Sequence, residues 1–151
     1  MRITIVAVGR HKAGPLEALE EFYAERIRWP LTIRQVEERR KLPPAELKAR
    51  EGELLLAALP KDAVLVALDG RGKALSSADF ARRLGAWRDA DAALAFAIGG
   101  ADGLADGVIA KAKLVLSLGA MTWPHLLARG MLLEQIYRGQ QILAGHPYHR
   151  E

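Results

Sequence analysis

The chain has 151 residues, half of them apolar, and a formal net charge of +4 from 22 basic and 18 acidic residues. That length fits one domain with a proper core, and no run of about 18 uncharged apolar residues offers a membrane span. There is no cysteine, which excludes disulfides, thiolate metal sites and cysteine nucleophiles together. The charge is uneven. Residues 1–50 carry 11 Lys/Arg against 7 Asp/Glu, residues 51–100 carry 6 against 7, and residues 101–151 carry 5 against 4. The excess lies in the first third, around Arg39, Arg40, Lys41, Lys48 and Arg50. Such a patch suits a polyanion or is an ordinary solvated face.

Arg2 to Val8 reads as a strand ending at Gly9, and the opening stretch meets charge too soon for a signal peptide, so a cytoplasmic protein is expected. A basic loop of Arg10, His11, Lys12 and Gly14 follows. Pro15 to Trp29 is predicted as an amphipathic helix stopped by Pro30. Leu31 to Val36 alternates as a strand, Glu37 to Leu42 is a charged loop expected to be mobile, and Pro43 to Leu59 is a second helix closed by Pro60. Ala63 to Leu68 is a continuous apolar run of the parallel-sheet type. Asp69 to Lys73 is predicted as the loop at its end. Ser76 or Ser77 caps a helix reaching about Arg88.

Ala92 to Ile98 is another buried strand, with Gly99–Gly103 as a tight loop after it and a short helix over Leu104–Lys111. Lys113 to Leu118 is the last strand. Small residues Ser117, Gly119 and Ala120 then lead to a long helix with Pro124 in its first turn and Thr122 or Trp123 as cap. This helix is apolar nearly all round, so it must be covered on two sides. Either a second copy of the chain covers it, which predicts a homodimer, or its own domain wraps it. The alternation of strand and helix predicts an α/β fold with a mostly parallel sheet flanked by helices, in a single domain spanning residues 1–151. The loops Asp69–Lys73, Gly99–Gly103 and Leu118–Pro124 each follow a buried strand. In a parallel sheet they share one edge and can converge on a pocket.

The residues limit the chemistry. Neither G-x-G-x-x-G nor G-x-x-x-x-G-K-[ST] occurs, H-E-x-x-H and Gly-x-Ser-x-Gly are absent, and His11, His125, His146 and His149 lack a familiar ligand spacing, so no metal is expected. What remains is a pocket of backbone and small residues, with His125, Arg129, His149 and Arg150 as polar reagents nearby in sequence. His125 and Arg129 can equally be a structural pair on one helix face.

Leu68-Asp69, Phe96-Ala-Ile-Gly-Gly-Ala-Asp-Gly-Leu104, Leu116-Ser-Leu-Gly-Ala-Met-Thr-Trp-Pro-His125, Leu133-Glu-Gln-Ile-Tyr-Arg138 and Pro147-Tyr-His-Arg150, in this order and spacing, resemble the RlmH family of small bacterial SPOUT-class methyltransferases. The resemblance spans the chain. It implies a SPOUT-type fold with a trefoil knot in the C-terminal half, a homodimer, and S-adenosylmethionine as cofactor. It also implies methylation of N3 of a pseudouridine in large-subunit (23S) ribosomal RNA on the assembled ribosome. It places Leu68, Gly100, Gly119, Ala120, Met121, Thr122, Trp123 and Pro124 at the cofactor. Gly119 stands where the family usually has a serine, which removes a hydroxyl, and Trp123 where it has a smaller apolar residue. His125 and His149 are candidate proton acceptors. Arg129, Arg138 and Arg150 are candidates to stabilise an imide anion or bind phosphate. Tyr148 is a candidate to stack on a base. Substrate RNA is expected on a composite dimer surface that uses basic residues of the N-terminal third. The rival functions are a non-catalytic ribosome-associated RNA-binding factor that keeps the pocket, and a small-molecule enzyme unrelated to RNA.

Overall fold

In the computed structural model, which describes all of residues 1–151, the apolar runs form five parallel strands. They are β1 (Arg2–Val8), β2 (Leu31–Val36), β3 (Val64–Ala74), β4 (Ala93–Ile98) and β5 (Leu114–Ser117), in the spatial order β2-β1-β4-β3-β5. The helices are α1 (Pro15–Ala24), α2 (Pro44–Ala57), α3 (Ser77–Asp89), α4 (Asp106–Lys111) and α5 (His125–Leu143). Successive strand residues point to opposite faces. Ile3, Ile5, Leu94, Phe96, Leu114 and Leu116 meet Phe80 and Leu84 of α3 and Leu132, Leu133 and Ile136 of α5 on one face. Val6, Val8, Leu65, Ala67, Ala95 and Ala97 meet Leu55 of α2 and Val108 of α4 on the other. Burying each large aliphatic or aromatic side chain contributes about 1.5–3 kcal/mol.

The winding follows from those faces. Steps from β1 to β2 and β3 to β4 run toward one edge with α1 and α3 on the first face. Steps from β2 to β3 and β4 to β5 run toward the other edge with α2 and α4 on the second. All four crossovers therefore have the same hand, as twisted parallel strands require.

Three expected boundaries move. β3 does not end at Leu68. Leu68 and Lys73 both register with Leu116 of β5, so residues 69–72 are looped out of a strand that then continues to Ala74. Gly72 permits this, since a Cβ there would sit 2.3 Å from the Val115 carbonyl oxygen. α1 ends at Ala24 rather than Trp29. Trp29 precedes proline and is steered away from helix. The unwound stretch is held instead by Gln140 of α5, which accepts from the Arg28 N–H at 2.6 Å and donates to the Arg26 carbonyl at 3.2 Å. Finally, α5 starts after Pro124, and no side chain caps it, so Thr122 and Trp123 do not serve as caps.

α5 is covered by its own chain. Gly130 lets Leu19 of α1 approach so closely that a Cβ would lie 2.6 Å from its Cδ2, and Gly139 does the same for Leu84 of α3. Every α5 residue is buried or half-buried in the isolated chain. Its all-round apolar pattern is thus explained by α1, α3 and the sheet, and does not by itself demand a second copy. The charged loop after β2 is also tied down. Glu38 accepts from Arg40 at 2.9 Å and from Arg50 at 3.2 Å. Arg40 and Arg50 are thereby partly neutralised, and Arg10 pairs with Glu37, which leaves Arg39, Lys41 and Lys48 as the uncommitted cations of the basic stretch. No helix is long and apolar enough to cross a membrane.

Candidate cofactor cavity at the strand ends

The C-terminal ends of β3, β4 and β5 and the start of α5 enclose one cavity of about 270 Å³. Leu68, Asp69 and Gly70 form one wall, Ile98 to Ala101 with Gly103 a second, and Leu118 to Trp123 with His125 and Ala128 the third. All three loops expected to converge do so. Of the eight residues expected at a cofactor, Leu68, Gly100, Gly119, Ala120, Met121, Thr122 and Trp123 line the cavity. Pro124 instead forms the helix boundary, its carbonyl accepting from Ala128 N–H at 2.9 Å. Asp69, Gly70, Ile98 and Ala128 join the lining. Only Ala128 lay outside the stretches that sequence singles out, and its place one helical turn after Pro124 was the available signal.

The loops owe their shape to residues without side chains. At Gly99 a Cβ would lie 2.6 Å from the Gly103 carbonyl oxygen, and Gly103 N–H bonds to the Gly100 carbonyl at 3.1 Å, closing a tight turn. Gly119 has φ +112, a conformation that L side chains rarely adopt. Ser117 Oγ accepts from Gly119 N–H at 3.1 Å and donates to its carbonyl at 3.0 Å, fixing the turn after β5. The serine one turn earlier thus orders the backbone where the usual family serine is missing. Trp123 Nε1 donates to the Leu118 carbonyl at 3.3 Å, and Met121 is 74% exposed at the rim. A cavity with apolar walls at Leu68, Ile98 and Leu118 and side-chain-free glycine turns suits a flat adenine-like ring, so the residues present fit S-adenosylmethionine.

The polar candidates divide into two groups. His125 borders the cavity, and burial, reinforced by the charges of Arg129 and His11, holds its pKa below the ordinary histidine value. Its neutral form therefore prevails in the fold at pH values where an unfolded histidine is protonated. The stability dependent on His125 is present above about pH 6.5 and is lost as pH falls from there through the lower folded value. Denaturant titrations of the wild type and His125→Gln from pH 7.5 to 5 should converge in slope only above that point, with the wild type losing more stability on acidification. Identical pH profiles would contradict the assignment.

Arg129 is a correction. It is 1% exposed, it does not line the cavity, and its Nη2 donates to the Val8 and Gly9 carbonyls at 2.8 and 2.6 Å. Glu20 lies 4.0 Å from its Nη1 and is hydrogen-bonded in turn to His11 Nε2. Arg129 is an internal strut at the end of β1, for the steric reason that α5 lays this turn against the sheet. Nothing in the nine-residue separation of His11 and Glu20 across a loop signals that they pair.

The second group lies at the far end of α5. Arg138 bonds Glu134 at 2.6 and 2.9 Å, its guanidinium stands 4.8 Å from the Tyr148 ring centroid, and its Nη1 is 3.1 Å from His149 Nδ1. Tyr148 Oη donates to Glu134 at 3.1 Å, while Arg150 is exposed. Arg138 follows His125 by 13 residues, or about 20 Å along a helix. Within one chain His149, Arg138, Tyr148 and Arg150 therefore do not meet His125.

A parallel sheet whose strand ends and helix start line a glycine-rich cavity defines an α/β protein of the ligand-binding class. Comparison with known proteins specifies it. The family model described as "Predicted SPOUT methyltransferase" matches residues 1–149. The chain is 60% identical over 151 residues to ribosomal RNA large subunit methyltransferase H of Rhodospirillum centenum, covering 99% of each. Its fold is shared with a solved structure described as a probable methylase family protein from Haemophilus influenzae Rd KW20 (TM-score 0.62, 12% identity, 99% of this chain and 70% of that one). It is also shared with the SpoU methyltransferase AviRb from Streptomyces viridochromogenes, solved with the cofactor AdoMet (TM-score 0.51, 16% identity, 93% and 58%). The chain belongs to the SPOUT methyltransferase family, in the group of the ribosomal RNA large subunit methyltransferases H.

Proposed function

We propose that this chain transfers a methyl group from S-adenosylmethionine to N3 of a pseudouridine in large-subunit ribosomal RNA, on the assembled ribosome, as a cytoplasmic homodimer. The observation that carries the reading is the convergence of three strand-end loops on one cavity in a chain with 60% identity to a protein named for this RNA. The cofactor supplies a sulfonium methyl group open to in-line displacement. The chain's contribution is positioning. Leu68, Ile98 and Leu118 supply apolar walls, and the glycine turns at Gly99–Gly103 and Gly119 let the ligand approach the main chain closely. His125, neutral at the cavity edge, accepts the N3 proton as the new N–CH3 bond forms. The absence of cysteine accords with a nitrogen target, which needs no thiolate adduct.

Two features support the homodimer. An apolar groove of about 490 Å³, lined by Leu19, Tyr23, Phe80 and Met131 among others, runs between α1, α3 and α5 beside the cavity. The polar residues at the two ends of α5 are also separated in one chain, and a partner packed through the groove can bring its Arg138, Tyr148, His149 and Arg150 to the cavity mouth. Arg39, Lys41 and Lys48 are then available to ribosomal RNA. The trefoil knot belongs to the same reading. β4–α4–β5 crosses β3 on one face of the sheet, and α5 returns on the other.

The test uses labelled S-adenosylmethionine with ribosomes lacking the modification and with naked transcript. Label in large-subunit RNA of ribosomes, with little in transcript, is expected. Equal turnover on both removes the assembled ribosome as substrate, and cofactor binding without label leaves a binding factor. Sedimentation should give twice the mass of the chain.

A further inference from the structure

The looped-out residues 69–72 pose an accounting question, because they have left the β3–β5 ladder yet form a cavity wall. The side-chain hydrogen bonds inside this excursion join Arg71 to the Asp69 carboxylate. Asp69 Oδ1 accepts from Arg71 N–H and from Arg71 Nε, both at 2.9 Å, and Oδ2 accepts from Nη2 at 3.2 Å. Arg71 then reaches beyond its own loop. Nη2 donates to the Leu104 carbonyl at 3.1 Å, and Nη1 lies 3.2 Å from Asp106 Oδ1 in the first turn of α4. Two of the three cavity walls, the β3 excursion and the segment leaving the Gly99–Gly103 turn, are thereby joined through Asp69 and a single guanidinium.

Asp69 itself faces the cavity with its side chain 10% exposed, whereas Arg71 is 54% exposed on the outside. The planar, bidentate fork of arginine suits this bridge, and lysine cannot reproduce it.

We infer that Arg71, through Asp69, is a positioning residue for the cofactor: it holds the first and second cavity walls at the spacing that binds S-adenosylmethionine. This rests on the assignment of the cavity proposed above. Without Arg71 the excursion has no fixed conformation, and cofactor binding must pay its ordering. The cost falls on affinity, because Arg71 lies outside the cavity lining and makes no bond to His125. It also depends on salt, since the ion pairs are exposed and screened at high ionic strength.

The experiment titrates S-adenosylmethionine into wild type, Arg71→Ala and Arg71→Lys, following the fluorescence of the cavity tryptophan Trp123 and, in parallel, calorimetric heat. Each variant is melted first. Arg71→Ala should bind about tenfold more weakly, as expected when loop ordering is added to binding. Its KM should rise alike, kcat at saturating cofactor should be unchanged, and Arg71→Lys should recover only part of the loss. Wild-type affinity should weaken as salt is raised from 50 mM to 500 mM, to about one Debye length of 4 Å, while that of Arg71→Ala stays flat. Wild-type affinity in Arg71→Ala, or an equal salt response in both, overturns the inference. Failure of the wild type itself to bind refutes the cavity assignment instead.

Discussion

Replacing Arg129 with alanine is expected to lower the unfolding free energy by about 3–5 kcal/mol, the range for removing one member of a buried charged network. The Val8 and Gly9 carbonyls would lose a charged donor at 2.8 and 2.6 Å, Glu20 would lose the guanidinium 4.0 Å away, and a space the size of a guanidinium would open beneath α5. One term opposes this. Burial disfavours the charge, pushing the Arg129 pKa down, and Nε and Nη1 have no hydrogen-bond partner. The two carbonyl bonds outweigh it, because hydrogen bonds to a charged group contribute about 1.5–3 kcal/mol each. Denaturant unfolding should show a lower midpoint at unchanged slope. A residue acting on substrate would behave otherwise: activity would vanish while the midpoint stayed in place. That outcome would restore Arg129 to the reaction and remove it from the scaffold.

The second large effect is expected at Gly100. A Cβ there would lie 2.9 Å from Glu51 Oε2 and 3.1 Å from Val8 Cγ1. Glu51 is 7% exposed on α2, burial and the charge of Asp102 push its carboxyl pKa up, and Oε1 has no partner. The carboxyl has little freedom to withdraw. Gly100→Val must therefore lift the glycine turn into the cavity. Overpacking of this kind costs about 1–3 kcal/mol, which leaves a folded protein whose cofactor affinity is expected to fall by up to about a hundredfold if that strain is relieved only by giving up the bound geometry. Binding of labelled S-adenosylmethionine on filters reads this directly. Gly107→Ala in α4 is the control. Its Cβ meets nothing within 4 Å, and alanine in a helix is favoured over glycine by up to about 1 kcal/mol. If Gly100→Val binds the cofactor as the control does, the cavity between the strand ends is not where the cofactor sits.

The Gly100 effect arises where glycine turns, rather than reactive side chains, shape the cavity, whereas the Arg129 effect arises in the scaffold behind it. Methyl transfer from a sulfonium asks for little else, and the fold supplies it by bringing three turns to one sheet edge.

The sequence alone determined the five strands, the order of helices between them and the three strand-end turns that form the cavity. Short apolar runs such as Leu94–Ile98, bounded by turn residues, are too short for a buried helix and suit strands covered on both faces, and the glycines near their ends permit the close turns. It also supplied seven of the residues that line the cavity, through the family-like motifs around Gly100 and Gly119–Trp123. Other features were beyond it. β3 continues past Leu68 because Lys73 and Ala74 find partners on β5, a pairing across more than 40 residues that no local pattern encodes. Arg129 reads as a reagent four residues from His125, yet its partners Val8 and Gly9 lie 121 and 120 positions away. Periodicity states which face of α5 a residue occupies, but not which carbonyls wait on the opposing surface. Likewise His149 and Arg138 read as part of one site with His125, and the straightness of α5 holds them apart. Local propensity and alternation are properties of neighbours in the chain. The assignment of a buried charge to scaffold or to chemistry is a property of neighbours in space, and only tertiary packing decides it.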